Sequence, residues 1–218
     1  MDSTGREGRC QGTSRHLTAW GERRVDREGI SESSFHQSFL KENFRLLSST
    51  DSPAGRAARP LLFLDVDGTL IPFGTPPGGA PARPPAPPPP PGSHPLLSRI
   101  DPRHGPRLAA LPCDLVWATT WMAEANDVIS PLLGLPELPV VDWPDAPDDE
   151  GPLHWKTRGL VGWAAGRPFV WVDDEITDAD RAWVAAHHRG RALAYRVDPC
   201  RGLTEGDVIV IARWLAEV

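Results

Sequence analysis

The most informative stretch of this sequence is residues 61–70, LLFLDVDGTL, in which four apolar residues are followed at once by two aspartates. A short, uninterrupted apolar run is typical of a strand buried on both faces, as in a parallel sheet. Gly68 permits a tight backbone turn directly after the aspartates. Because ligands of open α/β sheets bind at the carboxyl ends of the strands, Asp65 and Asp67 are the first candidates for a functional site.

Strand and helix signals alternate from Arg59 to the end of the chain. Five apolar runs predict strands: Leu61–Leu64, Leu115–Ala118, Pro139–Val141, Phe169–Val172 and Ala192–Val197. Helical patterns lie between and after them: Met122–Leu133, Trp155–Ala165, Asp178–His188 and Thr204–Ala216. This alternation predicts an α/β, Rossmann-like three-layer sandwich with a mainly parallel five-stranded sheet.

Polar side chains follow three of these runs, at the edge of the sheet where the carboxyl ends of parallel strands meet. The candidates are Asp65, Asp67, Thr119, Thr120, Asp173, Asp174 and Asp178, together with Lys156 at the start of a predicted helix. Lys156 is one of only two lysines among 23 Lys and Arg residues. Because arginine is the usual cation of this chain, a lysine inside the domain indicates that a compact ammonium group is required.

These residue types form a coherent set for phosphate chemistry. Crowded carboxylates repel one another and therefore need a cation, and oxygen-only ligands favour Mg²⁺. One carboxylate can attack phosphorus to form an aspartyl-phosphate, while a second carboxyl group protonates the leaving oxygen and later activates water. Hydroxyl and ammonium groups neutralise and orient the phosphoryl oxygens. The sequence thus predicts a magnesium-dependent phosphatase.

Two other kinds of acidic site fit less well. A calcium-binding EF-hand loop that began at Asp65 would need an acidic or amide ligand two residues after Asp67 and a glutamate at its twelfth position, where the chain has Thr69 and Pro76. A response-regulator receiver also combines acidic residues, a threonine and a lysine, but its acidic pair comes first and its lysine last. Here Lys156 precedes the Asp173–Asp174 pair.

The stretch Asp65–Thr69 matches the DxDGT motif of the haloacid dehalogenase-like (HAD) phosphatase superfamily letter for letter, and residues 60–218 resemble that superfamily. Its other motifs follow in order: a strand ending in Thr119, a lone Lys156, and a strand ending in DDxxxD. The resemblance implies that Asp65 is the nucleophile and a metal ligand. It also implies that Asp67 is the general acid/base and binds metal through its backbone carbonyl.

The remaining roles implied by the resemblance are phosphoryl and metal binding. Thr119, or Thr120 beside it, would hydrogen-bond the phosphoryl group, and Lys156 would pair with that group and with the nucleophile. Gly68 belongs to the same substrate-binding set. Asp174 would be the direct metal ligand, with Asp173 and Asp178 supporting it.

Substrate class follows less directly from the resemblance. The carboxyl group of Asp67 favours phosphate chemistry, since dehalogenating members lack that acid. Neither gap between motifs holds a folded cap domain, so the resemblance implies an open site and a phosphorylated small molecule or macromolecular end as substrate. The motifs are similar to those of phosphatase modules in nucleic-acid repair proteins, which would suggest a terminal phosphate. A non-catalytic or regulatory HAD-fold protein that binds a phosphorylated partner is the alternative from another class.

The rest of the chain is predicted to be irregular. Residues 1–58 form a poorly structured extension, with a short helix at 34–47 as the exception, and residues 59–218 form the phosphatase domain. A Pro-rich insertion at 72–95 contains twelve prolines and predicts an extended surface excursion. A PxxP ligand for an SH3-like partner is the alternative for that insertion.

Charge and composition bound the partners. Residues 1–59 sum to +2 and the remainder to −8, for a formal net charge of −6. An acidic domain lacks the basic footprint of a nucleic-acid-binding protein. Three scattered cysteines without a CxxC pair favour a reducing compartment. No apolar run approaches the ~20 residues that cross a bilayer, and no signal-peptide pattern is present, so we expect a cytoplasmic location and no membrane partner.

Overall fold

The computed structural model describes residues 58–74, 95–143 and 151–218. Their elements, in chain order, are β1 (Leu61–Leu64), a 3-10 helix (Pro95–Arg99), α1 (His104–Ala109), β2 (Asp114–Trp117), α2 (Glu124–Leu133), α3 (Thr157–Ala164), β3 (Phe169–Asp173), α4 (Asp178–His187), β4 (Ala192–Arg196) and α5 (Glu205–Leu215). In this part of the chain, no helix is long and apolar enough to cross a bilayer. The helix predicted at 34–47 and most of the Pro-rich insertion lie outside the described residues and stay predictions.

The strands form one parallel sheet in the order β2-β1-β3-β4. β1 lies between β2 and β3, with Leu61 paired to Asp114 on one side and to Phe169 on the other. Every residue of β1 and β3 is buried, as expected for central strands of a sheet with helices on both faces. The predicted α/β fold with a parallel sheet is confirmed.

Helices cover both faces of this sheet because successive strand residues point to opposite sides. Leu62 and Leu64 of β1 belong to a core cluster that includes apolar residues of α1, α2 and α5. Leu61 and Phe63 belong to a second cluster, formed with residues of α3 and α4. The resulting three layers leave the carboxyl ends of all four strands along one edge of the sheet.

The prediction of a fifth strand is wrong, since the sheet of the described residues has four strands and does not include Pro139–Val141. The segment makes a single parallel bridge, between Trp117 and Val140. Trp117 N–H donates to the Pro139 carbonyl and Val141 N–H donates to the Trp117 carbonyl, both at 2.8 Å. Because proline has no N–H and β2 itself ends at Trp117, the pairing extends no further.

The 3-10 helix and α1 have no counterpart among the predicted elements. Both are short, and Gly105 and Pro106 inside α1 weaken any helical signal. Gly105 brings α1 directly against α2, because a Cβ at that position would lie 1.6 Å from the Leu133 carbonyl oxygen. Tertiary packing, which single-residue propensities do not report, therefore stabilises α1.

A tight turn follows β1 and carries the second aspartate of the first motif. The Val66 carbonyl accepts hydrogen bonds from the amides of Thr69, Leu70 and Ile71 at 3.3, 2.8 and 2.9 Å. Gly68, inside this turn, has φ +73°, a conformation that residues with a side chain rarely adopt. The turn therefore needs glycine at this position, as the sequence predicts.

Candidate active site

Three carboxylates gather where the two central strands end. Asp65 directly follows β1, Asp173 is the last residue of β3, and Asp174 follows it; all three are buried. One carboxylate oxygen from each lies within 4.8 Å of the others. We call these three residues the acidic cluster. Because β1 and β3 are hydrogen-bonded neighbours, the sheet itself brings these sequence-distant side chains together.

Lys156, which precedes α3, lies inside the acidic cluster. Its Nζ donates to Asp65 Oδ1 at 2.6 Å and to Asp173 Oδ2 at 2.8 Å. Burial by itself would lower the pKa of this ammonium group, but the facing carboxylates outweigh burial and raise the pKa above its ordinary value. Lys156 is therefore charged at neutral pH. The structure brings it to the position that the sequence pattern predicts.

The acidic cluster carries more negative charge than Lys156 balances. Burial raises the pKa of Asp65 well above its ordinary value; the Lys156 ammonium opposes this shift, and the neighbouring Asp173 adds to it. Burial, with the charges of Asp173 and Glu175, raises the pKa of Asp174 to about 7. One ammonium group facing three carboxylates leaves two negative charges uncompensated when all are ionised. A divalent cation fits this deficit, and the all-oxygen donor set suits Mg²⁺.

The two adjacent aspartates, Asp173 and Asp174, have different surroundings. Both oxygens of Asp173 accept hydrogen bonds: Oδ2 from Lys156 and from Trp171 Nε1 at 3.2 Å, and Oδ1 from the Glu175 amide at 2.9 Å. Asp174 instead packs on the turn after β1. A Cβ added to Gly68 would lie 2.3 Å from Asp174 Cγ, so glycine at position 68 makes room for this carboxyl group.

Asp67 is half-buried in the turn and is tied to the loop after β2. The Trp121 indole Nε1 donates to Asp67 Oδ2 at 3.0 Å. This hydrogen bond holds the orientation of the Asp67 carboxyl group, and the sequence pattern does not reveal it. Met122, the residue after Trp121, has φ +50°, in the left-handed region that residues with a side chain rarely occupy.

The two predicted threonines differ in exposure. Thr119 is buried at the carboxyl end of β2, whereas Thr120 is exposed. Thr119 Oγ1 accepts from the Trp121 amide at 3.3 Å, and its carbonyl accepts from Trp143 Nε1 at 3.2 Å. Because Ala118 N–H donates to the Leu64 carbonyl at 2.9 Å, Thr119 lies beside the residue that follows β1. The structure thus brings Thr119 to the strand-end edge.

Asp178 is not brought to the acidic cluster. Its fully exposed side chain pairs with Arg181 at 2.8 Å, one turn along α4. Asp180, which the sequence analysis does not select, is the buried aspartate of this segment. It accepts from Thr157 Oγ1 at 2.6 Å and from the His154 amide at 2.7 Å, and so attaches both sides of Lys156 to α4.

The signal that could have identified Asp180 is a helix cap. Thr177 and Asp180 form a reciprocal capping box at the start of α4, and the spacing T-x-x-D is its sequence signature. Burial by itself would raise the pKa of Asp180, but hydrogen bonds from Thr157 and Thr177 outweigh it and lower the pKa. Asp180 therefore stays ionised, as an acceptor that positions the Lys156 segment.

The chain matches one family of known proteins. Residues 61–208 match the family described as the HAD domain in Swiss Army Knife RNA repair proteins. The match runs from β1 into α5 and includes the acidic cluster, Asp67, Thr119 and Lys156. No curated protein and no solved structure matches the chain.

Proposed function

The chain belongs to the family of HAD domains in Swiss Army Knife RNA repair proteins, and from this premise we propose that it hydrolyses phosphate monoesters. HAD domains are generally hydrolytic. The observation that carries the proposal is the buried contact of Lys156 with both Asp65 and Asp173 at the ends of neighbouring strands. A purely structural core would not gather three carboxylates around one ammonium group, because burying such charges is unfavourable.

In the proposed reaction, a carboxylate oxygen of Asp65 forms a bond to phosphorus as the ester bond breaks. Asp67 gives a proton to the departing ester oxygen, which leaves as an alcohol. Asp67 then takes a proton from a water molecule, whose oxygen attacks phosphorus and releases inorganic phosphate, restoring Asp65. Lys156 balances the charge of the nucleophile and of the phosphoryl oxygens, and Thr119, or Thr120 beside it, donates a hydrogen bond to them.

Trp121 supports this proposal by holding the general acid/base. An aspartate that must both give and accept a proton needs a stable orientation toward the ester oxygen and toward the incoming water. The hydrogen bond that Trp121 Nε1 donates to Asp67 Oδ2, at 3.0 Å, fixes this orientation. Trp121 acts on the reaction only through Asp67, and we therefore regard it as a positioning residue.

We propose Mg²⁺ as the cofactor, held by Asp65, Asp174 and the backbone carbonyl of Asp67. Asp173 would support this set by holding Lys156, since both of its oxygens already accept hydrogen bonds from protein donors. When bound, such an ion supplies positive charge that stabilises the phosphoryl group and lowers the pKa of the surrounding carboxyl groups.

The experiment is magnesium-dependent release of p-nitrophenol from p-nitrophenyl phosphate by the full chain. We expect turnover in wild type and its loss in Asp65→Asn, because an amide is nearly isosteric but a poor nucleophile. Asp178→Asn is the matched control, since it makes the same change at an exposed aspartate. Activity of Asp65→Asn close to that of wild type would refute the nucleophile assignment. Absence of turnover in wild type would instead favour the non-catalytic alternative.

A nucleic-acid end is a second, more specific candidate substrate. The family's description as a HAD domain in RNA repair proteins favours it. Phosphate release from oligoribonucleotides bearing a 3′- or a 5′-terminal phosphate, compared with phosphorylated peptides and metabolites, tests this candidate. A preference of kcat/KM for metabolites or peptides would contradict it.

A further inference from the structure

A second charged site lies at the carboxyl edge of the sheet and is not used in the proposed reaction. It is a cleft of about 370 Å³ whose wall includes four arginines, Arg99, Arg103, Arg107 and Arg201, and also Thr69. We call it the arginine cleft. Three separate parts of the chain supply its wall: the turn after β1, the segment from the 3-10 helix to α1, and the loop between β4 and α5.

The arginine cleft keeps a positive balance although it also contains two carboxylates. Asp101 pairs with Arg103 at 2.6 Å, and Glu205 pairs with Arg107 at 2.9 Å. Arg99 Nη1 donates to the carbonyls of Pro72 and Phe73 at 2.9 Å, contacts that orient its guanidinium without neutralising the charge. Four arginines against two carboxylates leave a local charge of +2, inside a region that is acidic overall.

The cleft and the acidic cluster adjoin the same turn. Gly68 packs against the Asp174 carboxyl group, while the next residue, Thr69, lines the arginine cleft. The Thr69 carbonyl accepts from the Leu203 amide at 2.7 Å, which fastens the turn to the loop that carries Arg201. A ligand with one phosphate at Asp65 and others further along its chain would therefore find positive charge beside the site.

Thr69, a residue of the cleft wall, contributes a buried hydroxyl group. Its side chain is buried, with 1% of its surface exposed, and among the described residues its Oγ1 has no hydrogen-bond partner. Buried hydroxyl groups normally have a partner, because an unmade hydrogen bond is unfavourable. Thr69 therefore departs from this norm at the wall of the arginine cleft.

From these observations we propose that the arginine cleft binds the phosphodiester backbone of a single-stranded nucleic acid whose terminal phosphate occupies the Asp65 site. The inference rests on the proposed function and names its substrate class. Guanidinium groups match phosphate oxygens in charge and geometry. A cleft of about 370 Å³ admits a short stretch of strand, whereas the summed charge of −8 on residues 60–218 disfavours the broad phosphate contacts of a duplex.

The test measures binding of a fluorescent oligoribonucleotide that lacks a terminal phosphate, by anisotropy, as a function of salt. In the double variant Arg107→Ala/Arg201→Ala we expect Kd to rise about tenfold at low salt. The slope of log K against log salt should fall by about 1.4, since each lost contact to a single strand removes about 0.7. Arg213→Ala, at an exposed position of α5 outside the cleft, is the matched control and should bind as wild type does.

Unchanged Kd and slope in the double variant would overturn the proposal, as would an equal loss in Arg213→Ala. Arg201→Lys keeps the charge and should keep the salt slope, which separates electrostatic contact from damage to the fold; loss of the slope in this variant would count against the proposal. Turnover of p-nitrophenyl phosphate is measured in parallel. Oligonucleotide binding through the cleft without turnover of any phosphate ester would support nucleic-acid binding by the cleft and refute the proposed function. Turnover without oligonucleotide binding would support the proposed function and refute nucleic-acid binding by the cleft.

Discussion

The turn at Gly68 and Thr69 adjoins two charged sites that hold their charges in opposite ways. In the acidic cluster, a buried ammonium group contacts two of three buried carboxylates. In the arginine cleft, the charges lie nearer to water, and the Glu205 side chain that pairs with Arg107 is 68% exposed. Buried charges interact strongly and depend on one another, whereas exposed charges are screened and act nearly independently. The first site should therefore be sensitive to single changes, and the second should respond gradually.

The largest effect is expected from Lys156→Met, which removes the ammonium group and keeps much of its volume. The buried carboxylates lose their shared partner, and breaking such a pair is destabilising by about 3–5 kcal/mol. Denaturant unfolding should show this loss, and turnover should vanish. Arg181→Met, which breaks an exposed pair, should change stability by less than about 0.5 kcal/mol. Equal losses in the two variants would contradict the contrast between buried and exposed charges.

Gly68→Ala should have the next largest effect. Its Cβ would meet the Asp174 carboxyl group at 2.3 Å, and its φ of +73° is strained for any L side chain. Gly134→Ala is an informative control, because Gly134 has φ +66° and a Cβ there would meet nothing within 4 Å. We expect Gly134→Ala to lose about 1–2 kcal/mol of unfolding free energy from backbone strain alone. Gly68→Ala should lose more unfolding free energy than Gly134→Ala, and it should also lose the thermal stabilisation by Mg²⁺. Equal losses of unfolding free energy in the two variants would mean that the contact with Asp174 is unimportant.

The pH dependence of metal binding should show the effect of burial on Asp174. Because its pKa in the folded, metal-free protein is about 7 instead of 3.8, the folded state binds this proton more tightly than the unfolded state does. The contribution of Asp174 therefore favours folding at low pH, and this stability is lost as pH rises from about 4 to about 7. Mg²⁺ requires the carboxylate form, so its apparent affinity should weaken by up to about tenfold per pH unit below 7.

The measurement is the shift in Tm caused by millimolar Mg²⁺, which should be larger at pH 8 than at pH 6. In Asp174→Asn the shift should largely disappear at both pH values, because the amide is a weaker ligand. Asp178→Asn, at an exposed aspartate, should behave as wild type. A shift independent of pH in wild type would show that Asp174 does not bind the ion.

The smallest effect should come from the exposed pair in the arginine cleft. Arg107 and Glu205 lie 2.9 Å apart, but a double-mutant cycle with alanine should give a coupling free energy of only about 0.2–1 kcal/mol. Raising the salt concentration should reduce the coupling further. A coupling of several kcal/mol would mean that this cleft is as dry as the acidic cluster.

Part of the site could be predicted from the sequence because its residues follow buried strands. Asp65 and the Asp173–Asp174 pair come directly after apolar runs, and a parallel sheet necessarily brings such positions to one edge. Lys156 could be selected because it is a rare residue type within an arginine-rich chain. The cap residue Asp180 could have been selected instead of Asp178 from the T-x-x-D spacing, since both are acidic residues of the same helix start.

Other features depended on distances that no local pattern contains. Pro139–Val141 has the composition of a strand, but only one bridge to β2 forms. The Trp121 bond to Asp67 joins positions 54 residues apart. The arginine cleft likewise could not be predicted from the negative net charge, because a summed charge carries no information about where the charges lie.

The sequence by itself determined the parallel α/β fold, the turn at Gly68 and the identity of the central carboxylates, because buried strands and tight turns constrain residue type locally. Tertiary structure alone decided that Asp173 holds Lys156 while Asp174 packs on Gly68. It also decided that Asp178 faces solvent and that arginines from separate segments share one cleft. The physical reason is that the roles of charged side chains depend on burial and on neighbours within a few ångströms, which only the packed chain sets.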